Sequence, residues 1–284
     1  MTSPKNFSYR NLVLAYYTWG SPDNPALLLL HGFFGSAADW ECSATFWATR
    51  YFVVAPDLPG HGLSPWSIAT DDMSVFVTAT ALKALMSGLH IQQYGVVGYS
   101  FGGRVALHLS LHARNALSCM VLESTSPGIH DPDQRESRRV QDGQLADLIF
   151  ARGIEWFVSF WGALPLFSSQ IRLPPAIEEQ IRHRRLRQDP RGLAQSLKAA
   201  GTGAQQSFWG KLETITVPTL LITGTLDVKF CSIAAAMHRE WSNAATVSID
   251  SAGHNVHLEQ PRAFHNAVDP FLHRYLLDER NEHS

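Results

Sequence analysis

Three residues of the 284-residue chain could together make a serine hydroxyl reactive. Ser100 lies in Gly98-Tyr99-Ser100-Phe101-Gly102, a G-x-S-x-G pattern between an apolar strand and a helix. The flanking glycines allow a strained turn that lifts the hydroxyl above a sheet. Asp227 and His254 follow in chain order, each in a loop after a strand. A histidine that takes the serine proton and an acid that orients it are the partners such a serine needs, so Ser100, Asp227 and His254 are predicted to be catalytic.

Other acids and histidines compete for these two supporting roles. Asp57 precedes the serine, which breaks the chain order, and it is expected to cap a loop. Glu123 ends the strand after the serine turn and stays open as an alternative acid. His257 and His265 lie in or near the last helix, where we expect them to be partly exposed.

Backbone and cationic groups are expected near the serine. The N–H groups of Phe33, which follows His31-Gly32, and of Phe101 are predicted to form an oxyanion hole. Arg104 lies one helical turn after Ser100, so the two side chains can face the same side. A guanidinium group binds carboxylates through two parallel hydrogen bonds, which indicates an anionic substrate.

Strands alternate with helices along most of the chain, which predicts an α/β protein with a doubly wound, mostly parallel sheet. Strands 12–18 and 26–30 are expected to form a hairpin through the turn at 20–25. Residues 128–206 show no strand pattern and carry ten of the eighteen arginines. We therefore expect a core domain, 1–127 and 207–284, with an inserted helical cap, 128–206. The other predicted elements are strands 52–55, 92–97, 118–122, 220–223 and 245–249 and helices 72–89, 103–109 and 261–277.

Composition and charge narrow the function classes. A net charge of −2 gives no electrostatic reason to expect nucleic acid as a partner. The most apolar run, 26–30, is too short to span a membrane, and the first residues do not resemble a signal peptide. Three scattered cysteines predict neither a disulfide nor a zinc site. These features favour a cytoplasmic protein, and we expect a monomer without excluding an oligomer.

Several stretches resemble those shared by α/β-hydrolases: Leu30-His31-Gly32-Phe33, residues 57–62, residues 98–104 and Gly253-His254-Asn255. More selective stretches, 122–128, 201–209 and 224–230, resemble the 2-succinyl-6-hydroxy-2,4-cyclohexadiene-1-carboxylate (SHCHC) synthases of menaquinone and phylloquinone biosynthesis. This resemblance covers nearly the whole chain, including the cap. It implies an α/β-hydrolase fold and a lyase that eliminates pyruvate from 2-succinyl-5-enolpyruvyl-6-hydroxy-3-cyclohexene-1-carboxylate, a tricarboxylate. It also implies that the serine acts as a base and that the reaction uses no metal and no cofactor.

The same resemblance implies a set of binding residues. The first cap arginine is Arg138, which lies four residues before Asp142, and Arg139 is its alternative. The second is Arg187, and Arg184 or Arg185 is its alternative. The cap tryptophan has a second interpretation as a buried core residue. Matched motif by motif, the substrate-binding residues are Tyr99, Arg104, Arg138, Trp161 and Arg187.

Two other function classes fit the same motifs. A serine carboxylesterase, or a hydrolase of carbon–carbon bonds acting on a small anionic substrate, would use the same three residues together with water. A binding protein on a hydrolase-like fold would typically lack at least one of the three. An assay of pyruvate release alongside ester hydrolysis distinguishes these classes.

Overall fold

Eight strands form one sheet in the computed structural model, which describes residues 3–278 apart from the side chain of Thr70. In chain order the strands are β1 (Lys5–Tyr9), β2 (Leu12–Trp19), β3 (Ala26–Leu30), β4 (Phe52–Pro56), β5 (Tyr94–Tyr99), β6 (Leu117–Glu123), β7 (Thr219–Gly224) and β8 (Ala244–Ile249). They lie side by side in the order β1-β2-β4-β3-β5-β6-β7-β8. Neighbours from β4 to β8 are parallel, whereas β2 pairs antiparallel with both β1 and β4. The predicted mostly parallel sheet is confirmed.

The predicted hairpin between strands 12–18 and 26–30 is wrong. β2 pairs with β1 and β4, whereas β3 lies between β4 and β5. Every residue of β3 is buried, as expected for an entirely apolar strand in a sheet covered on both faces. The turn at 20–25 therefore carries the chain past β4 into the middle of the sheet. The hairpin is instead β1–β2, whose first strand is mostly exposed and shows no apolar run.

Helices cover both faces of the sheet. One apolar cluster lies under the second, third and seventh helices and includes Leu82, Val105 and Met237. A second cluster lies on the opposite face, under the first and ninth helices, and includes Trp47 and Phe264. The sheet therefore has two separate cores, which is the layering that a doubly wound fold requires. The helices are α1 (Glu41–Trp47), α2 (Val75–Gly88), α3 (Phe101–His112), α4 (Pro132–Gly162), α5 (Pro175–Leu186), α6 (Pro190–Ala200), α7 (Val228–Glu240), α8 (Val256–Glu259) and α9 (Pro261–His273).

The chain between β6 and β7 is built from helices. Within the described residues this stretch contains no strand, and α4, α5 and α6 are supplemented by a 3-10 helix, Pro165–Arg172. Helix α4 is interrupted at Gly153, whose φ is 77°. Phe157 and Leu193 pack against Phe34 of the preceding core segment in a third apolar cluster. This cluster attaches the helical stretch to the sheet, while the boundaries of the cap at 128 and 206 stay a prediction.

No helix within residues 3–278 combines the length and apolar character needed to cross a membrane. The long helix α4 shows why length alone is insufficient, because charged residues recur along it.

Helix α3 approaches the sheet edge at backbone distance. A Cβ atom at Gly102 would overlap the carbonyl group of Leu30 and lie 2.7 Å from the carbonyl oxygen of His31. Gly143, in the interior of α4, offers the opposite environment, since a Cβ there would meet nothing within 4 Å. The two glycines therefore differ in packing although both lie within helices.

This difference predicts opposite effects of the same substitution. Gly102→Ala is expected to lower the free energy of unfolding by about 1–3 kcal/mol, because rigid backbone must move apart. Gly143→Ala is expected to raise it by about 0.5–1 kcal/mol, because alanine is the better helix former. Urea denaturation of both variants and the wild type measures the effects. Equal effects at the two positions would contradict the close approach of α3.

Candidate active site

Ser100 lies in a strained turn between β5 and α3. Its φ of 50° and ψ of −103° are unusual for a residue with a side chain, and such a conformation costs about 1–3 kcal/mol. Its backbone N–H donates to the carbonyl oxygen of Glu123 at 2.8 Å, which fixes the turn against β6. A Cβ at Gly98 would lie 2.7 Å from the backbone of Gly102, so the turn requires glycine there.

His254 links the serine to a carboxylate. Its Nε2 lies 3.1 Å from Ser100 Oγ, and its Nδ1 lies 2.7 Å from Asp227 Oδ2. Because a carboxylate only accepts, Nδ1 carries the proton and Nε2 is left to accept from the serine hydroxyl. Asp227 is fixed in turn, since its Oδ1 accepts the N–H of Phe230 at 3.2 Å as the N-cap of α7. The structure thus brings together the three residues singled out from the sequence, with His254 only 2% exposed.

Glu123 has a different partner. Its Oε2 lies 2.7 Å from Nδ1 of His257, and its Oε1 accepts the backbone N–H of the same residue at 3.1 Å. The expectation that His257 and His265 are partly exposed is wrong, because both are buried. His257 stacks on Trp40 with ring centroids 4.0 Å apart, and His265 lies 2.9 Å from the hydroxyl of Ser43. Aromatic packing and these polar partners account for the burial.

Asp57 caps a loop, as its place before the serine suggested. Its Oδ1 accepts the N–H of Ala37 at 2.7 Å, and its Oδ2 accepts the N–H of Leu63 at 2.8 Å. His31 adds a parallel link, since its Nε2 accepts the N–H of Leu58 at 2.9 Å. These bonds fasten the loop that follows β3 to the loop that follows β4.

One predicted oxyanion group, the N–H of Phe33, lies in the loop after β3 that this network holds, and the other, the N–H of Phe101, lies at the start of α3. Phe33 belongs to a turn closed by the N–H of Gly35 and the carbonyl oxygen of Gly32 at 3.1 Å. Phe34, the next residue in that turn, has a φ of 63°, the left-handed value that a type II turn requires. Phe101 is the first residue of α3, where N–H groups lack partners inside the helix. Among residues 3–278, neither Phe33 nor Phe101 uses its N–H in a protein hydrogen bond.

A cavity of about 1080 Å³ opens above Ser100, between the sheet and the helical stretch. Its lining includes Ser100, Asp227 and His254 together with Phe33 and Phe101. The other charged side chains that line it are all cationic: Arg104, Arg138, Arg172 and Lys229. Among the described residues, the only carboxylate of the lining is that of Asp227, which is already bonded to His254. The cavity is therefore suited to an anionic ligand.

Arg104 reaches the cavity from α3. Its Nη1 donates to the carbonyl oxygen of Ala200 at 2.7 Å and to Oε1 of Gln205 at 3.0 Å. Burial, together with the nearby charge of Arg138, lowers the pKa of Arg104 to about 10, so the group stays cationic at neutral pH. The guanidinium also lies 5.0 Å from the ring centroid of Phe101, directly after the serine.

The structure separates the two candidates for the first cap arginine. Arg138 lines the cavity, with its Nε donating to Oδ1 of Asp142 at 2.7 Å. Arg139 instead makes two bonds, of 2.6 and 2.7 Å, to Glu136 on the exposed face of α4. Neighbouring helical residues point about 100° apart, so only one of the pair can face the cavity.

Tyr99 and Trp161 both face the cavity. The Tyr99 ring lies between two imidazoles, 5.4 Å from His254 and 5.3 Å from His257, and its burial raises the pKa of the hydroxyl. Trp161 packs 5.3 Å from Phe33, and its buried Nε1–H has no acceptor within residues 3–278. Trp161 is thus a cavity residue rather than a purely structural core tryptophan.

The prediction for Arg187 needs correction. Arg187 is exposed at the C-terminal end of α5 and does not line the cavity. Two residues earlier, and so on nearly the opposite face of the helix, the Arg185 guanidinium lies 5.5 Å from Phe34 and 5.9 Å from Phe167. Arg185 borders a small recess that shares Tyr99 and Trp161 with the cavity, and burial lowers its pKa. Arg184, the other alternative, pairs with Asp39 at 3.1 Å.

Two cavity cations were not singled out from the sequence. Lys229 lies two residues after Asp227, and this proximity was a usable signal. Arg172 carries no such signal, because nothing in its neighbourhood distinguishes it from the other cap arginines. Among residues 3–278, no group of three or more His, Cys, Asp or Glu side chains is placed to hold a metal ion.

Known proteins are similar to this chain in both sequence and fold. A family model described as alpha/beta hydrolase fold matches residues 25–261. The chain is 38% identical to a Bacillus subtilis protein provisionally named as 2-succinyl-6-hydroxy-2,4-cyclohexadiene-1-carboxylate synthase, over 89% of this chain and 92% of that protein. It is 32% identical to a Klebsiella pneumoniae protein named 2-succinyl-6-hydroxy-2,4-cyclohexadiene-1-carboxylate synthase, over 86% of this chain and 92% of that protein. The solved structure of MenH from S. aureus matches with a TM-score of 0.87 at 34% identity, covering 92% of this chain and 98% of that one.

The loops that carry the site contain titratable groups whose protonation depends on burial. Burial lowers the pKa of His31 to about 4 and that of His61, whose ring centroid lies 5.2 Å away, to about 3. Burial raises the pKa of Asp57 to about 6. Both histidines are therefore neutral in the folded protein at pH values where they are charged in the unfolded chain.

This difference predicts that the free energy of unfolding decreases as the pH is lowered. Below about 6.5 the unfolded chain binds protons that folded His31 and His61 reject, which costs up to about 1.4 kcal/mol per pH unit for each. Asp57 acts with the opposite sign between about pH 4 and 6 and offsets one histidine. His61→Gln should remove one histidine's share of the slope between pH 6 and 4, measured by urea denaturation. An unchanged slope would show that His61 is protonated in the folded protein.

Proposed function

Because the chain belongs to the SHCHC synthase family within the α/β-hydrolase superfamily, we propose that it eliminates pyruvate from 2-succinyl-5-enolpyruvyl-6-hydroxy-3-cyclohexene-1-carboxylate to give SHCHC. One observation carries this proposal beyond family membership. The Ser100–His254–Asp227 series lies in a cavity whose remaining charged side chains are four cations. A substrate with three carboxylates matches that charge, whereas an ordinary ester needs an apolar acyl pocket.

Ser100 acts as the base in this reaction. His254 Nε2 takes the hydroxyl proton, and the serine oxygen then removes a proton from the substrate ring. The electrons of the broken C–H bond form a double bond between ring carbons 2 and 3, and the existing ring double bond shifts to carbons 4 and 5. The electrons of the broken C–O bond leave with the enolpyruvyl oxygen. The proton held by His254 passes to the departing fragment, which becomes pyruvate. The elimination consumes no water and involves no net oxidation or reduction.

The oxyanion hole has a matching task. Removal of the ring proton places negative charge on the oxygen of the succinyl ketone, and the N–H groups of Phe33 and Phe101 are proposed to stabilise it. Loss of one such donor typically costs about 10²- to 10³-fold in rate. Asp227, whose carboxylate is held by the N–H of Phe230, stabilises the charged His254 that exists between the two proton transfers.

Arg104 and Arg138 are proposed to bind substrate carboxylates inside the cavity, with Tyr99 and Trp161 donating hydrogen bonds. Trp161 Nε1–H is buried without a partner in the described chain, so this donor is available to hydrogen-bond a bound ligand. Arg185 is the second cap arginine that the geometry favours, because Arg187 points away from the cavity. The reaction would place the protein in menaquinone or phylloquinone biosynthesis, and we propose a cytoplasmic monomer.

Pyruvate release is the measurement that tests the proposal. Wild-type protein is expected to release pyruvate from the enolpyruvyl substrate, and Ser100→Ala should lower kcat by about 10²- to 10⁴-fold, the usual worth of a positioned base. Hydrolysis of p-nitrophenyl esters is followed in parallel with the same preparations. Rapid ester turnover without pyruvate release would overturn the synthase assignment in favour of a hydrolase.

Arg104 tests the anionic part of the proposal. Arg104→Ala should raise KM and lower kcat, reducing kcat/KM by about 10- to 150-fold, because a charge-assisted hydrogen bond contributes about 1.5–3 kcal/mol. Arg139→Ala is the matched control, since it removes an arginine that pairs with Glu136 outside the cavity. Equal kinetics for the two variants, with thermal unfolding unchanged, would show that Arg104 has a structural role only.

A further inference from the structure

Arg172 and Lys229 line the cavity from opposite layers of the fold. Arg172 ends the 3-10 helix Pro165–Arg172 of the cap, and Lys229 lies in the first turn of α7, after β7. Both side chains are exposed and both border the space above Ser100. They therefore form a pair of cations at the mouth of the cavity, one from the cap and one from the sheet.

In the part of the chain that the structure describes, neither cation of this pair has an acidic partner. Within residues 3–278, no carboxylate lies within 4.0 Å of the guanidinium of Arg172 or the ammonium of Lys229. Other cap cations differ, since Arg138, Arg139 and Lys198 are each bonded to an acid at 2.6 or 2.7 Å. An anionic ligand in the cavity is attracted by both cations, and no bound carboxylate of the described chain reduces that attraction.

The position of Lys229 relates this mouth to the reaction. Its ammonium lies 5.8 Å from the ring centroid of Phe230, and that ring packs edge-on against His254 at 4.5 Å. Arg104 belongs to α3 instead, and its guanidinium is bonded to the carbonyl oxygen of Ala200 at the end of α6. The cavity thus has one cationic region toward the cap helices and another on the His254 side, at its mouth.

Resting on the function proposed above, we propose that Arg172 and Lys229 bind the enolpyruvyl carboxylate of the substrate at the cavity mouth. His254 returns its proton to the departing fragment, so that fragment lies on the His254 side, where Lys229 is. Arg104 and Arg138 then serve the two carboxylates that remain on the product. The same arrangement sets the departing pyruvate at the opening through which it leaves.

Product inhibition separates this pair from the inner arginines. Lys229→Gln and Arg172→Gln should each raise the inhibition constant for pyruvate and the KM by about 3- to 10-fold, the worth of one partly exposed charged contact. Inhibition by succinate, which mimics a carboxylate arm that stays on the product, should change less than twofold. Lys198→Gln is the control, because it removes a cap surface charge that pairs with Asp147 outside the cavity.

The outcomes are distinguishable from failure of the proposed function. Suppose that wild-type protein releases pyruvate and that Lys229→Gln and Arg172→Gln have the wild-type inhibition constant for pyruvate. The carboxylate site at the mouth is then refuted, while the synthase assignment stands. If wild-type protein releases none, binding can still be measured by titration with pyruvate. The readout is the intrinsic tryptophan fluorescence, to which Trp161 and Trp209 of the cavity lining contribute. Equal pyruvate affinity in wild type and variants in that titration would refute the site independently of turnover.

Discussion

The backbone contact between α3 and the end of β3 is the constraint on which the site depends. With no side chain at Gly102, the helix begins directly above the sheet, and Ser100 is forced into a conformation that few residues adopt. That conformation exposes the hydroxyl to His254 and leaves the N–H of Phe101 at the start of the helix. The loop containing Phe33 is held opposite by bonds from Asp57 and His31. The proposed base, the proposed proton carrier and the two proposed oxyanion donors are thus positioned where this helix and this loop meet the sheet.

Charge burial makes the cavity suited to anions. Arg104 is 8% exposed, and its Nη1 donates to a carbonyl oxygen and an amide oxygen rather than to a carboxylate. Its charge is therefore solvated by dipoles and not neutralised, which leaves a positive field in the cavity. Arg138 is partly neutralised by Asp142, so the two inner arginines are not equivalent. An anion gains more from the field of the first than from that of the second.

The mostly parallel sheet and the Ser100–His254–Asp227 series could be predicted from the sequence, because chain order and strand ends restrict where these three residues can lie. The sequence was insufficient wherever a side chain's direction depends on tertiary packing. Arg187 fits the motif, but the orientation of α5 turns it outward and turns Arg185 inward. His257 has a polar neighbourhood in the sequence, yet Glu123 lies 134 residues away and holds it in the interior. The position of β3 beyond β4 likewise follows from pairing partners that no local pattern encodes.

The Glu123–His257 pair has a consequence for how the protein tolerates mutation. Two acid–imidazole pairs lie side by side at the ends of β6 and β7, and the ring of Tyr99 lies between their imidazoles. Glu123 spends both oxygens on His257, one on the ring and one on the backbone. Both oxygens are therefore directed at His257, and Glu123 could reach His254 after loss of Asp227 only by moving away from that residue. The second acid is therefore no ready replacement for Asp227, because a transfer of its role to β6 would require the segment that carries both histidines to rearrange.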